Sequence, residues 1–235
     1  MACDLGYRGF MAACMQILAL TFALIAAGLT QEDMVRCPTS HISVHWADKG
    51  DAAIACEAAG AALGFLAANG LETAAAFDVH LVSALPAQAG PKAFGCYDHP
   101  ARRVYMLDYP GYLKQGAWSD LPVNRALYRS LLAHEIGHAV AAVNFSVPRP
   151  SVRAHEYVAY ITMLATMPAE QRESFLARFP GQGYESPAQM STDFYFIAPF
   201  RFAAEAYRHF LKPGNGKSFL TEVLAGRALI GDDGP

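Results

Sequence analysis

The stretch LLAHEIGHAVAAV, residues 131 to 143, constrains the fold more than any other part of the chain. Its apolar residues read as the inside of a buried helix, yet two histidines and a glutamate stand among them. In a helix, positions four apart lie one turn above each other, so His134 and His138 present both imidazoles on one side, close enough to share one ion. Glu135 is rotated by one residue and sits beside the pair, three positions before His138. Its flanks, Leu131, Leu132, Ala133, Ala139 and Val140, are apolar. An unpaired carboxylate buried among them would be costly, and a cation at the histidines would offset that cost.

The chain has room for such an interior. With 235 residues, 53% hydrophobic and 17% charged, it can bury a sizeable core, which excludes a disordered chain and suits one domain. The formal net charge is −3, and no Lys/Arg cluster is longer than Arg102-Arg103. That charge balance gives no overall basic field for holding phosphate backbones, which argues against nucleic acid as a partner.

The N-terminal segment is of another kind. Arg8 is followed by an apolar stretch from Phe10 to Leu29, interrupted by Gln16 and Thr21. Small residues Ala26 and Gly28 precede a possible cut before Leu29, so residues 1–28 read as an export signal, with an uncleaved membrane anchor as the rival. Export to the periplasm or medium would remove Cys3 and Cys14 and leave Cys37, Cys56 and Cys96 where disulfides persist. One bridge and one free thiol is the simplest arrangement, with the pair left open, and three small buried thiols with no bridge is the alternative.

The mature chain, 29–235, reads as a single α+β domain. Its strand-containing half, about 29–120, offers strands at 41–46, 77–85, 92–98 and 102–109, the last two joined as a hairpin by His99-Pro100-Ala101, with a helix from Asp51 to Asn69. The half from about 121 to 235 is helical, with helices predicted at 123–143, 152–167, 169–179, 192–211 and 219–230. Ser151, Ser191 and Ser218 are their candidate caps, and Pro199 predicts a kink or break.

The sequence HEIGH matches the HExxH motif of zinc metallopeptidases, in which the ion lowers the pKa of a water toward ~7 and the glutamate takes its proton. No glycine and third histidine follow closely, as the metzincins require. With seventeen residues between them, however, Glu156 follows His138 on the first turns of the next helix. The region 122–167 thus resembles the gluzincins, the thermolysin-like class of zincins. The resemblance implies a zincin-like fold and a Zn²⁺ ion held by His134, His138 and Glu156. It also implies Glu135 as general base and a peptide or protein as substrate, held as an added strand along a sheet edge such as AFGCYD or RRVYML. Where many gluzincins carry an aspartate that orients the first histidine, this chain has Tyr160, which leaves that role to its hydroxyl or to a backbone carbonyl. Members of the class aim a histidine or tyrosine at the developing oxyanion, and Tyr207 and His209 on a late helix are the candidates here. His155 is a competing ligand or a substrate-facing group.

The reading is therefore an exported zinc metallopeptidase that touches a membrane only through an uncleaved signal. Two alternatives stand beside it: an exported zinc-binding protein that binds a partner through the cleft without cleaving it, and an α+β domain with a chance motif and no metal. Glu135 argues against the first, since a structural site gains nothing from a base beside its ligands.

Overall fold

A computed structural model describes residues 33–230 apart from 39 and 47. The predicted export signal at 1–28 lies outside the described residues. From Asp33 onward the chain forms one unit by its internal contacts. It is an α+β structure in which a five-stranded sheet precedes a mostly helical half.

The sheet contains β1 (Asp33–Arg36), β2 (Ile42–Trp46), β3 (Phe77–Val82), β4 (Gly95–Asp98) and β5 (Arg103–Leu107), in the order β1-β2-β3-β5-β4. The inner strands β2, β3 and β5 are parallel, and β1 and β4 are antiparallel edges. Helix α1 (Lys49–Ala68) makes the crossover between β2 and β3. The strands alternate as half-buried strands do. Ile42 and Val44 of β2, Val79 of β3 and Val104 and Met106 of β5 are at most 1% exposed, while the residues between them face away from the core. Alanines at 52, 55, 58, 59 and 62, all buried, let α1 pack closely on the sheet and on the helix that carries the histidines. Cys37 is bonded to Cys56, tying the chain before β2 to α1, and Cys96 is a free thiol. A bridge closing a loop of 19 residues contributes on the order of 3 kcal/mol in a chain-entropy picture.

After β5 come α2 (Tyr109–Gln115), α3 (Arg125–Asn144), α4 (Val152–Thr166), α5 (Ala169–Arg178), α6 (Thr192–Ile197), α7 (Pro199–Leu211) and α8 (Gly216–Leu224). Asn124 caps α3 by accepting from Leu127 N at 2.9 Å, and Ser151 and Ser191 cap α4 and α6 as expected. Helix α3 is the central element. It packs against α1, α4 and the β4–β5 hairpin, and the Tyr128 hydroxyl donates to Leu107 O at 2.8 Å, fixing α3 to the end of β5.

Several boundaries differ from the sequence reading. The helix expected over 192–211 is two helices, broken at Ala198 (φ −140, ψ 61) because Pro199 cannot continue the first and starts the second. Ser218 lies inside α8, which starts at Gly216 and ends at Leu224, short of Ile230. The strand expected to reach Tyr109 stops at Leu107, since the Asp108 carboxylate accepts from Gly111 N at 2.8 Å and caps α2. Among the described residues, α1 is the one helix long and apolar enough to cross a membrane, and it is packed between the sheet and α3.

Candidate metal centre

His134 and His138 leave α3 on the same side, with their Nε2 atoms 3.1 Å apart. Glu156 reaches them from α4. Its Oε2 is 3.7 Å from His134 Nε2, and its Oε1 is 3.6 Å from His138 Nε2. Ligand atoms bound 2.0–2.1 Å from a tetrahedral ion stand about 3.4 Å apart, so these three need shift by only a few tenths of an ångström to hold one. The sequence-based metal ligands are therefore brought together, on two helices that pack face to face.

That packing has a sequence cause. A Cβ built on Gly137 would stand 3.0 Å from Ala159 Cα and 3.3 Å from Thr162 Cβ. The glycine inside HEIGH is what lets α4 approach closely enough for Glu156 to reach the histidines. The first turn of α4 is anchored as well. The Ser151 hydroxyl donates to Leu229 O at 2.6 Å, and the buried Arg153 guanidinium donates to Met190 O at 3.0 Å and to Ile230 O.

The electrostatics fit a cation. Burial pulls the His134 pKa down to about 3 and that of His138 well below its usual range, so both rings are neutral, the form that ligates. Glu156 is pushed up to about 7 by burial, against the help of a hydrogen bond from the Tyr195 hydroxyl. Glu135 is pushed up to about 8, by burial first and by the neighbouring Glu156 charge second. Glu156 Oε2 and His134 Nδ1 are buried with no hydrogen-bond partner. A positive ion would satisfy the carboxylate and lower both acids. The Tyr160 ring packs 4.5 Å from His134 but leaves Nδ1 unsatisfied, so neither the hydroxyl nor a carbonyl fills the orienting role expected of them.

The group lies in a cleft of about 910 Å³. Helices α3 and α4 form its floor, β4 lines one side, and Tyr195, Phe196, Pro199 and Phe200 line another. Strand β4 is the outer strand of the sheet, whereas β5, the RRVYML segment, is paired on both sides and offers no edge. Phe94, Trp118, Leu131 and Met163 make much of the remaining wall apolar. His155 lines the cleft but stays outside the ligand group, its ring 6.0 Å from that of His138 and packed 4.6 Å from Phe145. The Cys96 thiol, also in the wall, is raised to about 11 by burial, then by Glu135 and Asp98, and stays protonated.

Tyr207 and His209, the sequence-based candidates for the oxyanion stabiliser, do not line this cleft. They lie on the buried face of α7. His209 Nδ1 is 3.0 Å from the Tyr157 hydroxyl and its ring packs 4.5 Å from Phe219, while Tyr207 is buried near Arg172. The hydroxyl that bears on Glu156 belongs to Tyr195 on α6, which also lines the cleft. Helical spacing alone could not single it out, because its position depends on the break at Pro199.

Among the described residues a second group could hold a metal ion, His45, Asp78 and His80 on the sheet. No curated protein and no solved structure matches the chain. The match to the model of the family of unknown function DUF6639 runs over residues 42–232, taking in both groups, the edge strand and the helices of the cleft, and the chain belongs to that family.

Proposed function

We propose that the protein is a zinc-dependent metallopeptidase of gluzincin type. The observation that carries the reading is a carboxylate, Glu135, beside a three-ligand group at the floor of a cleft bordered by an unpaired strand edge. Zinc held by His134, His138 and Glu156 would lower the pKa of a water and polarise the scissile carbonyl. Glu135 accepts the proton of the attacking water and passes it to the leaving amine. Tyr195 takes the part first given to Tyr207 or His209, its hydroxyl turning from Glu156 to the developing oxyanion.

The chain's edge strand supplies the binding mode. An extended peptide adds to the sheet by main-chain hydrogen bonds to β4, which lays it across the ligand group. Side chains next to the scissile bond then meet the wall of Trp118, Leu131, Met163 and Phe200, a surface for large apolar residues. Export is part of the same proposal, and the Cys37–Cys56 bridge supports it, since disulfides persist in oxidising compartments.

The test is a peptide-library digest with the purified protein. Cleavage beside large apolar residues, lost on chelation and restored by zinc, is the expected result. Absence of any zinc-dependent cleavage across the library would overturn the reading.

A further inference from the structure

The outer face of the sheet carries a second group of ligating side chains, unrelated to the cleft. The β2–β3 register sets His45 opposite His80 and Ser43 opposite Asp78. Because alternate residues of a strand share a face, Asp78 and His80 point the same way as His45, away from the core that Ile42, Val44 and Val79 form with α1. Three residues with metal-binding chemistry thus meet on two adjacent strands. Their ligand atoms all lie within 4.8 Å of one another, with His45 Nε2 3.8 Å from Asp78 Oδ1. The two imidazoles stack at 4.3 Å between centroids, 2° from parallel.

We propose that His45, Asp78 and His80 form a second metal site, which takes a divalent copper or zinc ion and clips β2 to β3. Two imidazoles and one carboxylate are the donors that such ions prefer, whereas calcium and magnesium require a shell made mainly of oxygens. Parallel rings aim their nitrogens alongside one another, so binding turns one ring about its Cβ–Cγ bond and draws the donors in by up to about 1.5 Å, to the ~3–3.4 Å spacing of a bound set. The room for that turn exists, since the side chains of His45 and Asp78 are 24% and 41% exposed. Met34 stands opposite His45 on β1, on the same face. Arg103 stands opposite Asp78 on β5 and adds a positive charge near the same carboxylate.

The measurement is metal bound per chain after equilibration with micromolar zinc, and separately with cupric ion, in wild type and in His80→Ala. The variant is expected to bind one ion fewer than wild type and to keep any peptidase activity of the cleft. Loss of one ion is diagnostic whether or not the cleft itself is loaded, so failure here is distinguishable from failure of the peptidase reading. Asp78→Asn, which keeps the size of the side chain, is expected to weaken the site about tenfold or more with the fold intact. Cupric ion in wild type is expected to show the spin-echo modulation of two imidazoles from this site, and that signal should vanish in His80→Ala. Equal metal content in wild type, His80→Ala and Asp78→Asn would overturn the proposal.

Discussion

Glu135 lies directly against the main chain of Gly95: a Cβ built on Gly95 would stand 2.8 Å from Glu135 Cγ and 2.8 Å from Tyr105 O. The edge strand and the proposed base are therefore one mechanical unit, and strand β4 holds the carboxylate in place. A methyl group at Gly95 must push the Glu135 stem aside, because the Tyr105 carbonyl belongs to the sheet. Gly95→Ala is expected to lower kcat by about 10²-fold, the cost of roughly 1 Å of misplacement at a reacting group, with zinc content unchanged. Kinetics on a cleaved peptide beside metal analysis checks it, and full activity would show that Glu135 tolerates displacement.

Gly137 has the corresponding role between the helices. Alanine there gains up to ~1 kcal/mol of helix propensity but meets Ala159 Cα at 3.0 Å, and overpacking in a tight core costs about 1–3 kcal/mol. Gly137→Ala is expected to be destabilising on balance and to weaken zinc binding, since Glu156 moves with α4. Urea unfolding and competition with a zinc chelator read the two effects separately.

Much of this candidate centre was legible in the sequence, because the residues that could hold an ion follow from helical spacing and one short loop. His134, Glu135 and His138 lie within two turns of a single helix, and Glu156 lies just past a turn marked by Pro148 and Pro150. What was not legible depends on tertiary packing. Spacing put Tyr207 and His209 on a helix but could not say which face α4 would cover. Tyr195 reaches Glu156 because α6 breaks before Pro199. Gly95 read as an ordinary strand residue, since the side chain that needs its missing Cβ comes from forty positions later. Strand β1 and helix α2 are short and have little periodicity of their own.

Tyr195→Phe removes one hydroxyl and no metal ligand. Zinc content should stay at the wild-type level while kcat falls about 10²- to 10³-fold, the usual loss for one oxyanion donor. Unchanged kcat would remove Tyr195 from the chemistry.

His209 gives a pH dependence of stability. Burial first, and the Lys212 charge second, pull its pKa down to about 4, against ~6.5 for an unfolded chain. Between those values the unfolded state takes up a proton that the folded state refuses. The contribution of His209 is therefore fully present above about pH 6.5 and is lost as the pH falls toward 4, by at most ~1.4 kcal/mol per pH unit. Urea midpoints of metal-free protein at several pH values should fall on acidification, and His209→Gln should flatten that slope. Identical slopes in the two proteins would show that His209 titrates alike in both states.

The central claim is that Glu135 is the base of a zinc peptidase, and Glu135→Gln tests it most directly. The substitution keeps the size of the side chain and leaves His134, His138 and Glu156 untouched. Metal content and peptide hydrolysis are measured on the same preparation. The expected result is wild-type zinc content with hydrolysis reduced by at least ~10²- to 10⁴-fold, and a variant that cleaves peptide at the wild-type rate with its zinc in place would contradict the account.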